Sequence, residues 1–215
     1  MSEFVVYGVA GSPYVRSALL GFEEKGADYS FAPLPVGGVR SAEHLERHPF
    51  GRIPAITHGD FVLYEVQAIL RYLDAVVPGP ALQPSEPKPM ARMSQIANIV
   101  DWYVMPSISV QIVAERFFSM RFWNRPTDES IIAKAVPEAR TCIRALESLK
   151  GDGVYMVGDD VTIADLMLAP HLAYFAMTPE GEMLKESSLS AWLDRMASRP
   201  SMQATAPERL LAKAA

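Results

Sequence analysis

Along the first 77 residues the apolar positions alternate between strand-like and helical spacing; beyond the proline-rich stretch after them, helical spacing dominates. Glu3-Phe4-Val5-Val6-Tyr7 is a short apolar run bounded by glycine, the form of a buried strand. A loop over Gly8–Gly11 leads to Ser12-Pro13, where serine suits the N-cap and proline the first helical position. Val15, Ala18, Leu19 and Phe22 then share one helical face until Lys25-Gly26. Tyr29, Phe31 and Pro33 predict a second strand. The resulting β-α-β unit calls for parallel strands and a right-handed crossover.

Pro35–Ser41 reads as a loop, and Ala42–His48 as a short helix stopped by Pro49. Ala55–His58 and Phe61–Tyr64 are two short strands around Gly59-Asp60, a hairpin turn signal. From Glu65 to about Val77 a helix carries the stripe Val66, Ile69, Leu70 and Leu73. The predicted order is β-α-β-α-β-β-α over residues 1–77. Pro78, Pro80, Pro84 and Pro87 mark a linker over 78–87. Residues 88–215 read as all-helical. Met90, Met93, Ile96, Ala97, Val100 and Tyr103 form one stripe, which Pro106 should kink or break. Ile131–Leu149, bent near Pro137, Thr162–Phe175 and Leu189–Ala197 are further helices.

Composition narrows the classes. With 49% hydrophobic residues the 215-residue chain can build a sizeable core. A net charge of −5 argues against general nucleic-acid binding. Cys142 is the only cysteine, which excludes an intramolecular disulfide and a thiolate metal cluster and fits a reducing compartment. No uninterrupted apolar run reaches the ~18 residues of a membrane span, and no signal sequence precedes the first strand. These features predict a cytoplasmic protein that neither spans a membrane nor binds nucleic acid.

Three loops carry the candidate chemistry. Ser12 is an N-cap by position, and a hydroxyl at the positive end of a helix can also donate to an anion such as a thiolate. Pro54 opens a strand; a cis bond there would turn the Ile53 N–H and C=O outward, where an extended peptide could pair with them. Glu65-Val66 opens the next helix, whose N–H groups are a ready anion site. Tyr7 lies within a strand and reads as packing. Cys142 reads as a core thiol. His44, His48, His58 and His171 show no metal-ligand spacing and suggest no catalytic role.

Ser12-Pro13-Tyr14-Val15-Arg16, Pro49-Phe50-Gly51-Arg52-Ile53-Pro54-Ala55, Leu63-Tyr64-Glu65 with Ala68 to Leu73, Thr162-Ile163-Ala164-Asp165, and Trp192 with Arg199-Pro200 appear in one order over nearly the whole chain. In that order and spacing the chain resembles the glutathione S-transferases of the serine type. The resemblance implies a thioredoxin-like N-terminal domain, an all-helical second domain and a homodimer. It implies glutathione as co-substrate, no metal, and detoxification of a small hydrophobic electrophile. Ser12 would activate the glutathione sulfur. Ile53, before a cis Pro54, would pair with its cysteinyl part. Glu65 and Val66 would hold the γ-glutamyl end, and Arg40 the glycyl carboxylate, with Arg52 nearby.

Val66 departs from the family pattern, which has Ser or Thr there. One lost hydrogen bond to a charged group is worth roughly 1.5–3 kcal/mol, which would weaken glutathione binding about ten-fold or more. The acceptor pocket would draw on Tyr14, Tyr103, Phe117, Phe118, Phe122 and Trp123. A peroxidase or lyase activity at the same site is equally compatible. The competing reading is a non-catalytic, protein-binding member of the same fold, a stress or transcription-associated factor.

Overall fold

The computed structural model describes residues 3–35 and 37–214, with the side chains of Arg121, Phe122 and 211–214 outside the description. Two compact units emerge: the chain up to Gln83 joined by the segment from Ser198 onward, and Pro84–Ala197.

In the first unit, β1 (Phe4–Gly8), α1 (Pro13–Lys25), β2 (Tyr29–Pro33), α2 (Ala42–Arg47), β3 (Ala55–His58), β4 (Phe61–Tyr64) and α3 (Val66–Val76) follow in the expected order. The sheet order is β2-β1-β3-β4, with β1 and β2 parallel and β3 antiparallel to both β1 and β4. This is the thioredoxin-like arrangement. Gly38–Arg40, expected as loop, is a single 3₁₀ turn. Phe4, Val6, Val15, Leu19, Phe22, Ile56, Ile69 and Leu73 make the core. α1 ends at Gly26, whose φ of 63° allows its N–H and that of Ala27 to reach the carbonyls of Glu23 and Phe22.

A buried ion pair ties this unit together. Lys25 Nζ donates to Asp74 at 3.0 Å and to the Pro80 carbonyl at 3.0 Å. Asp74 also accepts from the Leu82 N–H and from Gln83. Burial raises the Asp74 carboxyl, but these donors together hold it below its ordinary value.

The C-terminal segment departs from the expected division, which placed everything after 87 in the helical domain. α10 (Pro200–Ala204) and α11 (Pro207–Ala214) belong to the first unit. Arg199 and Ser201 grip the Glu24 carboxylate, Arg16 donates to the Met202 carbonyl at 2.7 Å, and Leu210 completes the core. Two such short helices leave no periodic signal long enough to assign them to one domain.

The second unit is built of helices, as expected, with one isolated β-bridge among the described residues, Tyr155 to Gly158, in the turn before α7 (Ile163–Phe175). α4 (Pro87–Ile99), a π-helical stretch (Val100–Val113) and α5 (Ala114–Trp123) form one run. Pro106 therefore does not break the helix; it sits inside the wider π turns, which absorb a residue that cannot donate. The Ser107 hydroxyl donates to the Tyr103 carbonyl beside it. By length and composition, the part from Pro87 to Met120 is apolar enough to cross a membrane, with half of its apolar window buried in the fold, as in a core helix. Asp101, Ser107, Ser109 and Gln111 punctuate its apolar sequence.

α6 (Glu129–Lys150) likewise runs unbroken through Pro137. Ala133 is exposed, so solvent can satisfy its carbonyl, which Pro137 leaves without a donor. α7 (Ile163–Phe175) is almost wholly buried. Its Asp165 is the polar hub of the unit. The carboxylate accepts from the N–H groups of Met156 and Thr162, the Thr162 hydroxyl and Trp192 Nε1, all within 2.8–3.0 Å. Burial pushes its carboxyl up while those donors pull it back. α8 (Glu182–Lys185) and α9 (Leu189–Ala197) close the unit.

Candidate active site

The register of the sheet determines where the three loops meet. Tyr7 of β1 pairs with Ala55 of β3, and Ala55 with Tyr64 of β4. The chain leaves this row after Tyr7 toward Ser12, enters it from Ile53-Pro54, and leaves it after Tyr64 into Glu65-Val66. All three segments therefore emerge at one end of the sheet. The first unit alone brings Ser12, Ile53, Pro54, Glu65 and Val66 to one edge.

Ser12 is the N-cap of α1. Its Oγ accepts the Val15 N–H at a long 3.4 Å, in backbone geometry (φ −79°, ψ 127°) typical of a cap. Among the described residues nothing accepts the Ser12 hydroxyl proton, and the side chain is only half-buried. The cap role leaves the proton available for donation.

The Ile53–Pro54 peptide bond is cis. β3 begins at Ala55, so the Ile53 main chain stands outside the ladder. Among the described residues, neither its N–H nor its C=O has a hydrogen-bond partner. Arg40 lies against Gly51 in the segment just before it: a Cβ on Gly51 would come within 3.0 Å of Arg40 Nη1. Gly51 also has φ +59°, a second reason for glycine there. Arg40 and Arg52 are both exposed. Arg52 contributes its carbonyl, which receives the His44 ring at 2.7 Å.

Glu65 has φ 73° and ψ 116°, a conformation costly for a residue with a Cβ. It caps α3 without a side-chain hydrogen bond and is exposed, so the first N–H groups of α3 have no side-chain cap. Val66, the first residue of α3, buries its side chain and leaves its N–H at the helix terminus.

Tyr7 plays the packing role read from its place in a strand. The Arg47 guanidinium sits 4.0 Å over its ring. The histidines matter more than their spacing suggested. His44 and His48 are buried, His44 against the Arg52 carbonyl, and the His48 ring meets the Tyr64 ring at 4.5 Å, tilted by 31°. Burial lowers the His48 pKa, against the pull of the Glu65 carboxylate. Their i, i+4 placement on a short helix before Pro49 was the available signal.

The expected acceptor residues divide between the units. Tyr14 lies half-buried in α1. Tyr103, Phe117, Phe118 and Trp123 lie along the π stretch and α5 of the second unit; Tyr103, Phe117 and Trp123 are exposed, and Arg125 covers the Trp123 ring at 5.0 Å. The Phe122 side chain lies outside the described residues. Trp102, 74% exposed, lies beside Tyr103 on the π stretch and was not anticipated. Cys142 is a buried thiol whose pKa burial raises, beside Ser107. Among the described residues no three His, Cys, Asp or Glu side chains converge as metal ligands.

The glutathione S-transferase N-terminal domain profile matches residues 6–81, and the C-terminal domain profile residues 129–195. Glutathione S-transferase 4 of Zea mays is 30% identical over 207 residues, covering 91% of this chain and 88% of the maize protein. The chain belongs to the glutathione S-transferase family. The crystal structure of glutathione transferase F7 from Populus trichocarpa superposes with a TM-score of 0.86 at 24% identity, over 96% of this chain and 99% of the poplar chain. A glutathione S-transferase-I solved with lactoylglutathione bound has a TM-score of 0.84 at 24% identity, over 94% and 98% of the two chains.

Proposed function

We propose that this chain is a glutathione transferase that activates the glutathione thiol for attack on a small hydrophobic electrophile. The convergence of three loops on the Tyr7–Ala55–Tyr64 row carries this reading. Two helix N-termini, α1 and α3, open at that edge and favour anions. Glutathione has two carboxylates and a thiol. The unpaired Ile53 main chain offers an extended peptide one donor and one acceptor. Val66 N–H receives the γ-glutamyl carboxylate, and Arg40 the glycyl carboxylate.

The Ser12 O–H donates a hydrogen bond to the sulfur. That bond favours the thiolate over the thiol, whose ordinary pKa of about 8.5 leaves little nucleophile at neutral pH. The thiol proton leaves to solvent. The sulfur lone pair then forms the S–C bond as the electrophile's leaving group departs, or adds to an activated double bond that takes up a proton. Catalysis here is positioning and anion stabilisation, with no covalent enzyme intermediate. The protein works in the cytoplasm as a homodimer and serves detoxification.

Calorimetry with reduced glutathione tests the reading, with thiolate absorbance read in the bound complex. Wild type should bind. Ser12→Ala should lose the thiolate signal while retaining most of the affinity. Val66→Ser should bind about ten-fold tighter, the worth of one hydrogen bond to a charged group. Absence of binding at millimolar glutathione would refute the enzyme reading and leave a protein-binding role for the same fold.

A further inference from the structure

The Ile53 main chain can select a peptide only if something holds it in place, and regular secondary structure does not. β3 starts two residues later. The nearest fixed point is the Arg52 carbonyl. His44, on the inner side of α2, meets that carbonyl with Nε2 at 2.7 Å. A carbonyl can only accept, so Nε2 carries the proton and donates. Nδ1 then holds a lone pair, and among the described residues it has no partner, in a side chain with no solvent exposure. The ring therefore turns an Nε2–H to the carbonyl and a bare Nδ1 to its other side.

α2 is itself anchored. Ser41 caps it by accepting the His44 N–H. One turn on, His48 is buried, and its ring lies tilted against that of Tyr64, the residue before Glu65. The Gly51 N–H returns to the His48 carbonyl at 2.8 Å. The short helix thus touches both sides of the proposed peptide site: Arg52 before Ile53, and Tyr64 before Glu65.

We propose that His44 is a positioning residue for the glutathione site, holding the Ile53 N–H and C=O at the angle a bound peptide needs through its bond to the Arg52 carbonyl. The role rests on the glutathione reading above. It predicts that His44 acts on peptide affinity and leaves the thiolate, which belongs to Ser12, untouched.

The test compares wild type, His44→Phe and His44→Gln. Phenylalanine keeps a ring but cannot donate; glutamine can donate from its amide nitrogen. His44→Phe should weaken glutathione binding about ten-fold, the worth of one hydrogen bond, while the thiolate fraction of the saturated complex stays at the wild-type level. His44→Gln should recover most of the affinity. In the ligand-free protein, the ¹⁵N spectrum should show a proton on His44 Nε2, and the Ile53 amide resonance should move in His44→Phe but not in His44→Gln.

Equal affinity in a folded His44→Phe overturns the proposal, as does equal weakening in both variants. If His44→Phe does not fold, His44→Gln decides: near-wild-type affinity and an unmoved Ile53 resonance support the role, and lost affinity overturns it. If wild type binds no glutathione, the ligand reading has failed. The tautomer and the Ile53 resonance then report separately whether His44 holds the segment.

Discussion

The α/β unit and the helical unit bury polar groups for different ends. In the α/β unit they sit under loops: His44 under Arg52, Lys25 and Asp74 under the chain at Pro80–Gln83, Glu24 under Arg199 and Ser201. The first two fix irregular segments that no ladder holds; the third anchors the start of α10. In the helical unit, among the described residues, Asp165 and His171 of α7 and Ser107 of the π stretch are polar groups with no solvent exposure. Asp165 ties α7 to the preceding turn and to Trp192 of α9, and His171 meets Ser109 of the π stretch at 2.7 Å. One unit uses buried polarity to shape a surface, the other to lock helices together. Removing such a group should therefore loosen a local segment in the first unit and destabilise the whole of the second.

The largest expected effect is at Asp165. Asp165→Ala leaves three buried N–H groups and a hydroxyl without their acceptor, and unfolding free energy should fall by roughly 4 kcal/mol, since each such loss costs about 1–3 kcal/mol. Denaturant titration monitored by tryptophan fluorescence reads this; a loss below about 1 kcal/mol would break the contrast.

Next is Lys25→Met, which strands Asp74 in a buried site and should cost about 3 kcal/mol. Adding Asp74→Leu should return only part of that, because the Leu82 N–H and Gln83 lose their acceptor as well. Hydrogen exchange should show the loss centred on residues 74–83, ahead of the sheet. Uniform loosening would erase the distinction between local and global roles.

Acid sharpens the comparison further. Burial depresses His171 to about 3 and lowers His48 from the ordinary 6.5. The unfolded chain takes up both protons near pH 6.5 while the folded chain resists. Stability should therefore be intact above 6.5 and fall as pH drops below it, by up to about 1.4 kcal/mol per pH unit for each group. Glu24 and Asp74, both held below their ordinary values, add a loss at lower pH as they protonate. His171→Asn should flatten the slope below pH 6.5; an unchanged slope would remove His171 as its source.

The smallest effect is Ser12→Ala. Its cap bond is long, and the loss should be about 1 kcal/mol or less. A thermal melt beside the thiolate measurement would separate the cap from the chemistry.

Local interactions made much of this legible in sequence. A strand's period, the Ser12-Pro13 helix start, the Gly59-Asp60 hairpin and the Pro78–Pro87 punctuation each depend on neighbours within a few residues. They specified the β-α-β-α-β-β-α order and the helical character of the chain beyond Pro87. They also marked Ser12, Pro54 and Glu65 as candidate loops. Tertiary structure decided what depends on distant partners. Pro106 reads as a kink or break and Pro137 as a bend because proline lacks a donor, yet both helices continue, through π turns in one and beside the exposed residue Ala133 in the other. Residues from Ser198 onward joined the first unit because their partners are remote in sequence: Glu24 lies 175 positions from Arg199, and Arg16 lies 186 from Met202. His44 looked idle by spacing; only the fold, by burying it and turning it to the Arg52 carbonyl, gave its ring one proton position and one partner.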